Sequence, residues 1–132
     1  MDDLYREVII EHYNNPSHRG TLENYNVRFE DNNPLCGDHI EITLLTDSEN
    51  RISDAKFDGH GCSISQATAD ILLDYVINKD VEEVKKMTKD SIIELIGIEP
   101  GPVRLKCALL SLKVLKAGIY GLSSADEIDL DE

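Results

Sequence analysis

The first half of the chain predicts one helix followed by three strands. Apolar and aromatic residues recur at helical spacing through residues 2–14, and NNPSHRG at 14–20 ends that pattern with residues that break helices. Alternating apolar positions then predict strands at 25–31, 39–47 and 51–59. The second and third strands are joined by a short polar turn, DSEN, which predicts a hairpin and hence an antiparallel sheet.

The second half changes to a helical period. One helix is predicted to start near Ile64, short helices follow at 81–87 and 89–98, and a final helix starts at Pro102, after the break EPGP. The final helix is apolar around most of its circumference, so we expect it to be buried. Strands followed by helices predict a single α+β domain, a small three-stranded antiparallel sheet with helices packed on one face. The apolar stripe of the helix near Ile64 comprises Ala67, Ile71, Leu72, Tyr75 and Val76.

Length and charge restrict the class of protein. The 132 residues suffice for one domain, which we place at 1–122, before an acidic tail at 123–132 that we expect to be disordered. With 13 basic and 26 acidic residues the net charge is −13, which argues against binding to nucleic acid or anionic membranes. No run approaches the ~20 apolar residues of a membrane span, and the N-terminus lacks signal-peptide features. We therefore expect a cytoplasmic protein.

The three cysteines occupy related positions. No CxxC pair exists, which excludes a thioredoxin-like redox motif and a paired zinc knuckle, although any one of the three could be a buried free cysteine. Cys36 lies two residues before Asp38, Cys62 follows Gly-His-Gly and opens a helix, and Cys107 lies in the first turns of the final helix. Helix N-termini favour thiolate, the form of cysteine that binds soft metals or carries sulfur.

Together these residues offer a set of four ligands. Cys36, Asp38, Cys62 and Cys107 give three sulfurs and one oxygen, the ligand count of a tetrahedral zinc site. The same set could hold an iron–sulfur cluster, although such clusters usually take four thiolates. A carboxylate in place of a fourth cysteine makes the site more labile, which favours a site of transfer over a permanent structural centre.

Four motifs in this order resemble the U-type iron–sulfur assembly proteins, the IscU and SufU family related to the N-terminal domain of NifU. They are HYNNPSHRG at 12–20, NPLCGD at 33–38, AKFDGHGCSIS at 55–65 and PVRLKCALL at 102–110. The similarity runs from the first helix to about Tyr120. Because four motifs at compatible separations must coincide, the combination is far more specific than any one of them.

The resemblance implies both a site and partners. It implies the predicted fold, with Cys36, Asp38, Cys62 and Cys107 converging at one end. It also implies a pyridoxal-phosphate-dependent cysteine desulfurase as the sulfur donor, and apo iron–sulfur proteins as acceptors. Members of the family assemble a transient 2Fe–2S cluster on these ligands or bind zinc there.

The sequence departs from the family pattern near the third cysteine. IscU proteins carry a histidine where this chain has Lys106, so the chain is similar to SufU at that position. SufU proteins, however, carry an extra segment between the second and third cysteines, and this chain is short there, as IscU is. The side chain of Lys106 should point about 100° away from Cys107 and is a poor ligand. Only part of the family's chaperone-recognition segment survives at 99–104, so recruitment of a specialised Hsp70 is not expected.

Neighbouring side chains add further candidates. Arg104 and Ser111 share the helical face of Cys107, and Arg104 could stabilise a thiolate or persulfide charge. His39 should point to the strand face opposite Asp38, whereas His60 is the better candidate for an auxiliary ligand.

These residues are consistent with three candidate functions. The first is a non-enzymatic scaffold, on which a labile 2Fe–2S cluster is assembled and passed to apo-proteins. The second is a zinc-dependent sulfurtransferase in which Cys36, on the looser loop, accepts the persulfide. The third is a structural zinc domain, which Asp38 disfavours because such a site would more usually carry a fourth cysteine or histidine. We expect a monomer or weak oligomer, because the ligand end must stay open to partners.

Overall fold

A computed structural model of the protein describes residues 3–33, 37–121, 128 and 130. Within this part of the chain, one helix is followed by three strands and then by four helices. The elements are α1 (Asp3–Asn14), β1 (Val27–Asn33), β2 (Asp38–Thr46), β3 (Ile52–His60), α2 (Ser63–Val76), α3 (Val81–Lys85), α4 (Lys89–Ile96) and α5 (Pro102–Tyr120).

The sheet is antiparallel, with β2 between β1 and β3. Its buried face carries Ile40, Ile42 and Leu44 from β2, together with Ala55 and Phe57 from β3. Helices α2 and α5 pack on this face, and the other face of the sheet is predominantly polar. The predicted α+β architecture, with helices on one face of a three-stranded antiparallel sheet, is therefore confirmed.

Strand β1 begins two residues later than the pattern predicted. Tyr25 is exposed, and the side chain of Asn26 donates a 2.8 Å hydrogen bond to the hydroxyl of Thr46. The backbone N–H of Asn26 also donates to the carbonyl oxygen of Leu44 at 2.9 Å, so Asn26 bonds β2 through both backbone and side chain before regular pairing starts at Val27.

The helix boundaries follow the local signals in the sequence. Asp80 accepts a hydrogen bond from the backbone N–H of Glu82 at 2.8 Å and caps α3. Gly97 ends α4 with φ of 73°, a conformation that glycine adopts without strain. Pro102 occupies the first position of α5, where its missing N–H costs nothing.

The prediction that Tyr75 belongs to the apolar stripe of α2 is wrong. This side chain is 42 % exposed, and the ammonium group of Lys79 lies 5.0 Å from the centre of its ring. The other four members of the stripe are buried against the sheet and neighbouring helices. The ring of Tyr75 therefore contacts a residue beyond the end of α2 and is not part of the core.

Helix α5 is buried along most of its length, as predicted. The burial includes Lys116, which is 4 % exposed and donates a 2.8 Å hydrogen bond from Nζ to the carbonyl oxygen of Met87. This bond joins the middle of α5 to the segment between α3 and α4. A buried ammonium group is tolerated here because it is hydrogen-bonded.

Two residues of the predicted tail are described, and both lie against the core. Leu130 is 6 % exposed, and its carbonyl oxygen accepts a 2.9 Å hydrogen bond from the backbone of Lys89; Ile128 is partly buried. The rest of 123–132 lies outside the described residues, so the domain boundary stays a prediction. In the described part of the chain, no helix has the length and apolarity needed to cross a membrane.

A buried carboxylate fixes α1 and the following loop to α2. Asp70 of α2 is fully buried, and its oxygens lie 2.6 Å from Nδ1 of His12 and 2.8 Å from the backbone nitrogen of His18. Both histidines belong to the motif HYNNPSHRG, so one role of that motif is to hold α1 against α2. This contact positions one wall of the groove described below.

We expect Asp70→Ala to lower the free energy of unfolding by about 2–4 kcal/mol, because it leaves buried donors without their acceptor. Urea denaturation followed by circular dichroism measures the change. Asp74→Ala is the matched control: Asp74 contacts His18 at 3.1 Å but is 70 % exposed. Its removal should cost less than about 1 kcal/mol, and equal effects of the two variants would contradict this role for Asp70.

Candidate metal centre

Asp38 is the carboxylate of the candidate centre. It is the first residue of β2, follows Gly37 at φ of 70°, and is fully buried. Its Oδ1 accepts a 2.8 Å hydrogen bond from the backbone N–H of Cys62, the residue that caps the N-terminus of α2. A buried carboxylate is costly unless it is paired, and here part of the pairing comes from a helix N-terminus.

Cys62 presents its thiol beside the same carboxylate. Its Sγ lies 3.5 Å from Oδ2 of Asp38, and the residue is exposed. The predicted position of Cys62 at the start of a helix is confirmed.

Cys107 supplies the buried thiol of the candidate centre. It is the sixth residue of α5, in the second turn, and is 4 % exposed. The effect of the helix dipole on a charge falls off within the first turn, so the sequence argument from helix N-termini does not apply to Cys107. Ser111, one turn further along the same face, is also buried.

These three residues converge. One ligand atom each from Asp38, Cys62 and Cys107 lies within 4.8 Å of the other two. In a tetrahedral zinc site, Zn–S and Zn–O lengths of about 2.3 and 2.1 Å place sulfur and oxygen ligands about 3.6 Å apart. The observed distance between Cys62 Sγ and Asp38 Oδ2 is 3.5 Å. Two thiols and a carboxylate in this arrangement therefore fit a metal ion in both chemistry and spacing.

The fourth predicted ligand, Cys36, lies outside the described residues, and its role stays a prediction. In the sequence this residue is separated from Asp38 by Gly37 alone.

The Gly-His-Gly segment before Cys62 needs its two glycines because residues of β2 pack directly against its backbone. Gly59 and Gly61 have φ of 147° and 146°, values that residues with a Cβ rarely adopt. A Cβ on Gly59 would lie 2.0 Å from the carbonyl oxygen of His39, and one on Gly61 would lie 2.1 Å from Oδ1 of Asp38. Gly61 thus makes the space that the buried carboxylate occupies.

The two histidines of this region lie on the other face of the sheet. His39 and His60 are directly opposed across β2 and β3, and their rings stack with centroids 5.7 Å apart. Since alternate strand residues point to opposite faces, both rings face away from Asp38. The prediction for His39 agrees with this geometry, whereas the hypothesis of His60 as an auxiliary ligand of the cysteine centre has no support in it.

A groove of about 860 Å³ opens beside Cys62 and Cys107. It runs between α1, the start of α2, the 97–101 loop and α5, and both Arg6 and Arg104 line it. Isoleucines and Pro100 make up its apolar lining. Lys106 is exposed and does not line the groove, which agrees with the prediction that its side chain points away from Cys107.

The two arginines of the groove differ from the other arginines. Arg19, Arg28 and Arg51 each form an ion pair with a carboxylate. Arg6 and Arg104 form none with the described residues, in a chain of net charge −13. Arg104 was expected near Cys107, but Arg6 was missed, because nothing in the sequence of α1 indicates which of its faces meets the cysteines.

Fold and site together define a class of protein: a small α+β domain with an open, mixed thiol and carboxylate centre at one end. Residues 4–127 match the family model for the NifU-like N terminal domain, and the chain belongs to this family.

Individual relatives cover nearly all of the chain. The zinc-dependent sulfurtransferase SufU of Bacillus subtilis is 40 % identical over 90 % of this chain and 91 % of its own length. The iron–sulfur cluster assembly scaffold protein IscU of Thermotoga maritima is 32 % identical over 91 % of this chain and 95 % of its own. The crystal structure of a putative iron–sulfur cluster assembly scaffold protein for the SUF system from Fervidobacterium islandicum superposes with a TM-score of 0.76, at 29 % identity, over 86 % of this chain and 94 % of that one.

We expect Gly61→Ala to lower the affinity for zinc by about tenfold or more, because a Cβ there displaces the Asp38 carboxylate. Competition against a chromogenic chelator measures the affinity. Gly101→Ala is the control, since a Cβ at that position meets nothing within 4 Å although Gly101 also lines the groove. Unchanged affinity in Gly61→Ala would contradict the role of Asp38 as a ligand.

Proposed function

We propose that this chain is a zinc-binding sulfur acceptor of iron–sulfur cluster assembly. The observation that carries the proposal is the packing of the ligand atoms of Asp38, Cys62 and Cys107 within 4.8 Å of one another. Each iron of a 2Fe–2S cluster takes two protein ligands, so any three ligands must be divided between two irons. Three ligand atoms within 4.8 Å of one another fit one metal ion better than they fit two irons between which they must be divided.

The proposed centre uses each ligand differently. Zinc, when bound, would hold the cysteines as thiolates and supply Lewis acidity. Asp38 contributes an oxygen that its hydrogen bond with Cys62 orients, and Cys107 contributes a buried sulfur. Cys36 would complete the set of four ligands. Because it comes from the loop before β2, Cys36 is the residue we propose as the persulfide acceptor.

The sulfur step balances without an added oxidant or reductant. The Cys36 thiolate attacks the terminal sulfur of the donor's persulfide, and a new sulfur–sulfur bond forms. The donor's own sulfur–sulfur bond breaks, and its cysteine leaves as a thiolate. Buried Cys107 is poorly placed for this step, since the donor's sulfur must approach from solvent.

The groove supports an encounter with such a donor. We propose a pyridoxal-phosphate-dependent cysteine desulfurase as the donor and apo iron–sulfur proteins as the final acceptors. A persulfide is anionic, and a surface of net charge −13 would repel it. Arg6 and Arg104, which form no ion pair with the described residues, provide positive charge beside the cysteines, where incoming sulfur would arrive, and they outnumber Glu99, which also lines the groove.

A scaffold for a 2Fe–2S cluster is the second candidate. The interval between Cys62 and Cys107 is short, as the resemblance to IscU describes, and this favours a scaffold. Relatives named as IscU scaffold proteins favour it too. The cluster would then be cargo, assembled on Cys36, Asp38, Cys62 and Cys107 and released because the carboxylate is a weak ligand.

One experiment separates the two candidates. Purified protein is assayed for zinc, then incubated anaerobically with a desulfurase, cysteine and iron. We expect about one zinc per chain, acceleration of the desulfurase, and a persulfide on Cys36 after alkylation and mass spectrometry. A visible cluster chromophore with loss of zinc would favour the scaffold, and a persulfide confined to Cys62 would contradict the assignment to Cys36.

We expect Arg104→Gln to raise the KM for the persulfide donor roughly tenfold while the zinc content stays unchanged, because it removes a positive charge from the groove. Desulfurase activity at several donor concentrations gives KM and kcat separately. Lys106→Gln is the matched control, two residues away on the same helix but outside the groove. Equal effects of both variants would indicate general electrostatics and contradict a local role.

A further inference from the structure

The polar face of the sheet, opposite α2 and α5, brings two histidines together; we call it the outer face. His39 of β2 and His60 of β3 are direct partners in the antiparallel register. Their rings stack at 5.7 Å between centroids, with an angle of 26° between the planes. Side chains directly opposed on neighbouring strands have Cβ atoms about 5 Å apart, so two imidazoles there can reach one ion.

A side-chain amide orients the ring of His39. Its Nδ1 lies 2.5 Å from Oδ1 of Asn32, the cross-strand partner on β1. An amide oxygen only accepts, so Nδ1 donates this hydrogen bond, and Nε2 is the ring nitrogen left to bind an ion. Histidines that bind metals are oriented in this way, with the second ring nitrogen donating to an oxygen.

The other ring nitrogen of His39, Nε2, lies about as far from a carboxylate oxygen as two ligands of one metal ion lie from each other. This nitrogen lies 3.4 Å from Oε2 of Glu30. A charge-assisted hydrogen bond would be shorter, at about 2.7–2.9 Å. Nitrogen and oxygen ligands about 2.0–2.1 Å from a tetrahedral zinc ion lie about 3.3 Å apart. The separation therefore leaves room for a cation between the two atoms.

The surroundings are suited to positive charge. A concavity of about 260 Å³ beside the histidines is lined by His39, His60, Glu41 and Asp58. Glu41 and Asp58 are held by Arg28 and Arg19, and the hydrogen bond from Arg28 to Glu41 raises the pKa of Arg28. Glu41 and Asp58 therefore contribute negative potential without being free ligands. Arg28 also lies 3.2 Å from Oε2 of Glu30, its more distant partner, so an ion would have to take this oxygen from the guanidinium group, which would keep Glu41.

His60 is exposed and has no hydrogen bond with the described residues, so its ring can turn out of the stack with His39 toward an ion. This turn is required, because in the stacked arrangement the ligand atoms of His39, His60 and Glu30 do not all lie within 4.8 Å of one another.

We propose that His39, His60 and Glu30 form a second cation site, for a divalent ion of a late first-row transition metal, with water as the fourth ligand. Imidazole and carboxylate are the ligands that zinc, cobalt and nickel take in such sites. The site lies on the opposite side of the sheet from Asp38. A bound ion would join all three strands at the end that carries Asp38 and leads into Cys62.

Cobalt titration under reducing conditions tests this site separately from the cysteine centre. Thiolate-bound cobalt gives an intense sulfur-to-metal charge-transfer band, whereas cobalt held by imidazole and carboxylate gives only weak visible bands. We expect two equivalents of cobalt to bind to the wild type, one of them with the charge-transfer band. The double variant His39→Asn, His60→Asn should bind one equivalent and keep that band.

Matched variants complete the test. His18→Asn removes a histidine elsewhere and should leave both equivalents, whereas Glu30→Gln should weaken the second equivalent by about tenfold or more without removing a histidine. Binding of one equivalent to the wild type, or of two to the double variant, would overturn the proposal. A histidine-dependent equivalent without any charge-transfer band would leave this site standing and count instead against the proposed cysteine centre.

Discussion

The hydrogen bond from the backbone of Cys62 to the buried carboxylate of Asp38 is the contact on which the rest of the site depends. It joins the start of β2 to the start of α2, two elements far apart in the chain. A buried carboxylate must find donors, and a helix N-terminus supplies them. The same bond brings the Cys62 thiol to Asp38 Oδ2, so the group that stabilises the fold also orients the proposed ligands.

Charge is distributed unevenly around this centre. The chain is strongly acidic, yet Arg6 and Arg104 face the groove beside the cysteines without carboxylate partners among the described residues. On the outer face, Arg19 and Arg28 instead neutralise Asp58 and Glu41. This distribution of charge is the basis of both proposals, anionic sulfur at the groove and a cation on the outer face.

Much of this could be read from the sequence because it depends on local chemistry. The periods of the apolar residues identified every described helix and strand, and the caps of α3, α4 and α5 lie at polar, glycine and proline positions. Cys62 also lies where the pattern placed it, at the start of a helix.

The sequence by itself determined the element types, the fold class and the identity of the soft and hard ligands, since each depends on residues near one another in the chain. The tertiary structure alone decided which atoms meet: the convergence of Asp38, Cys62 and Cys107, the burial of Cys107, and the position of Arg6 in the groove. Those contacts join residues many positions apart. Their distances depend on how the helices pack on the sheet, which no local period of the sequence encodes.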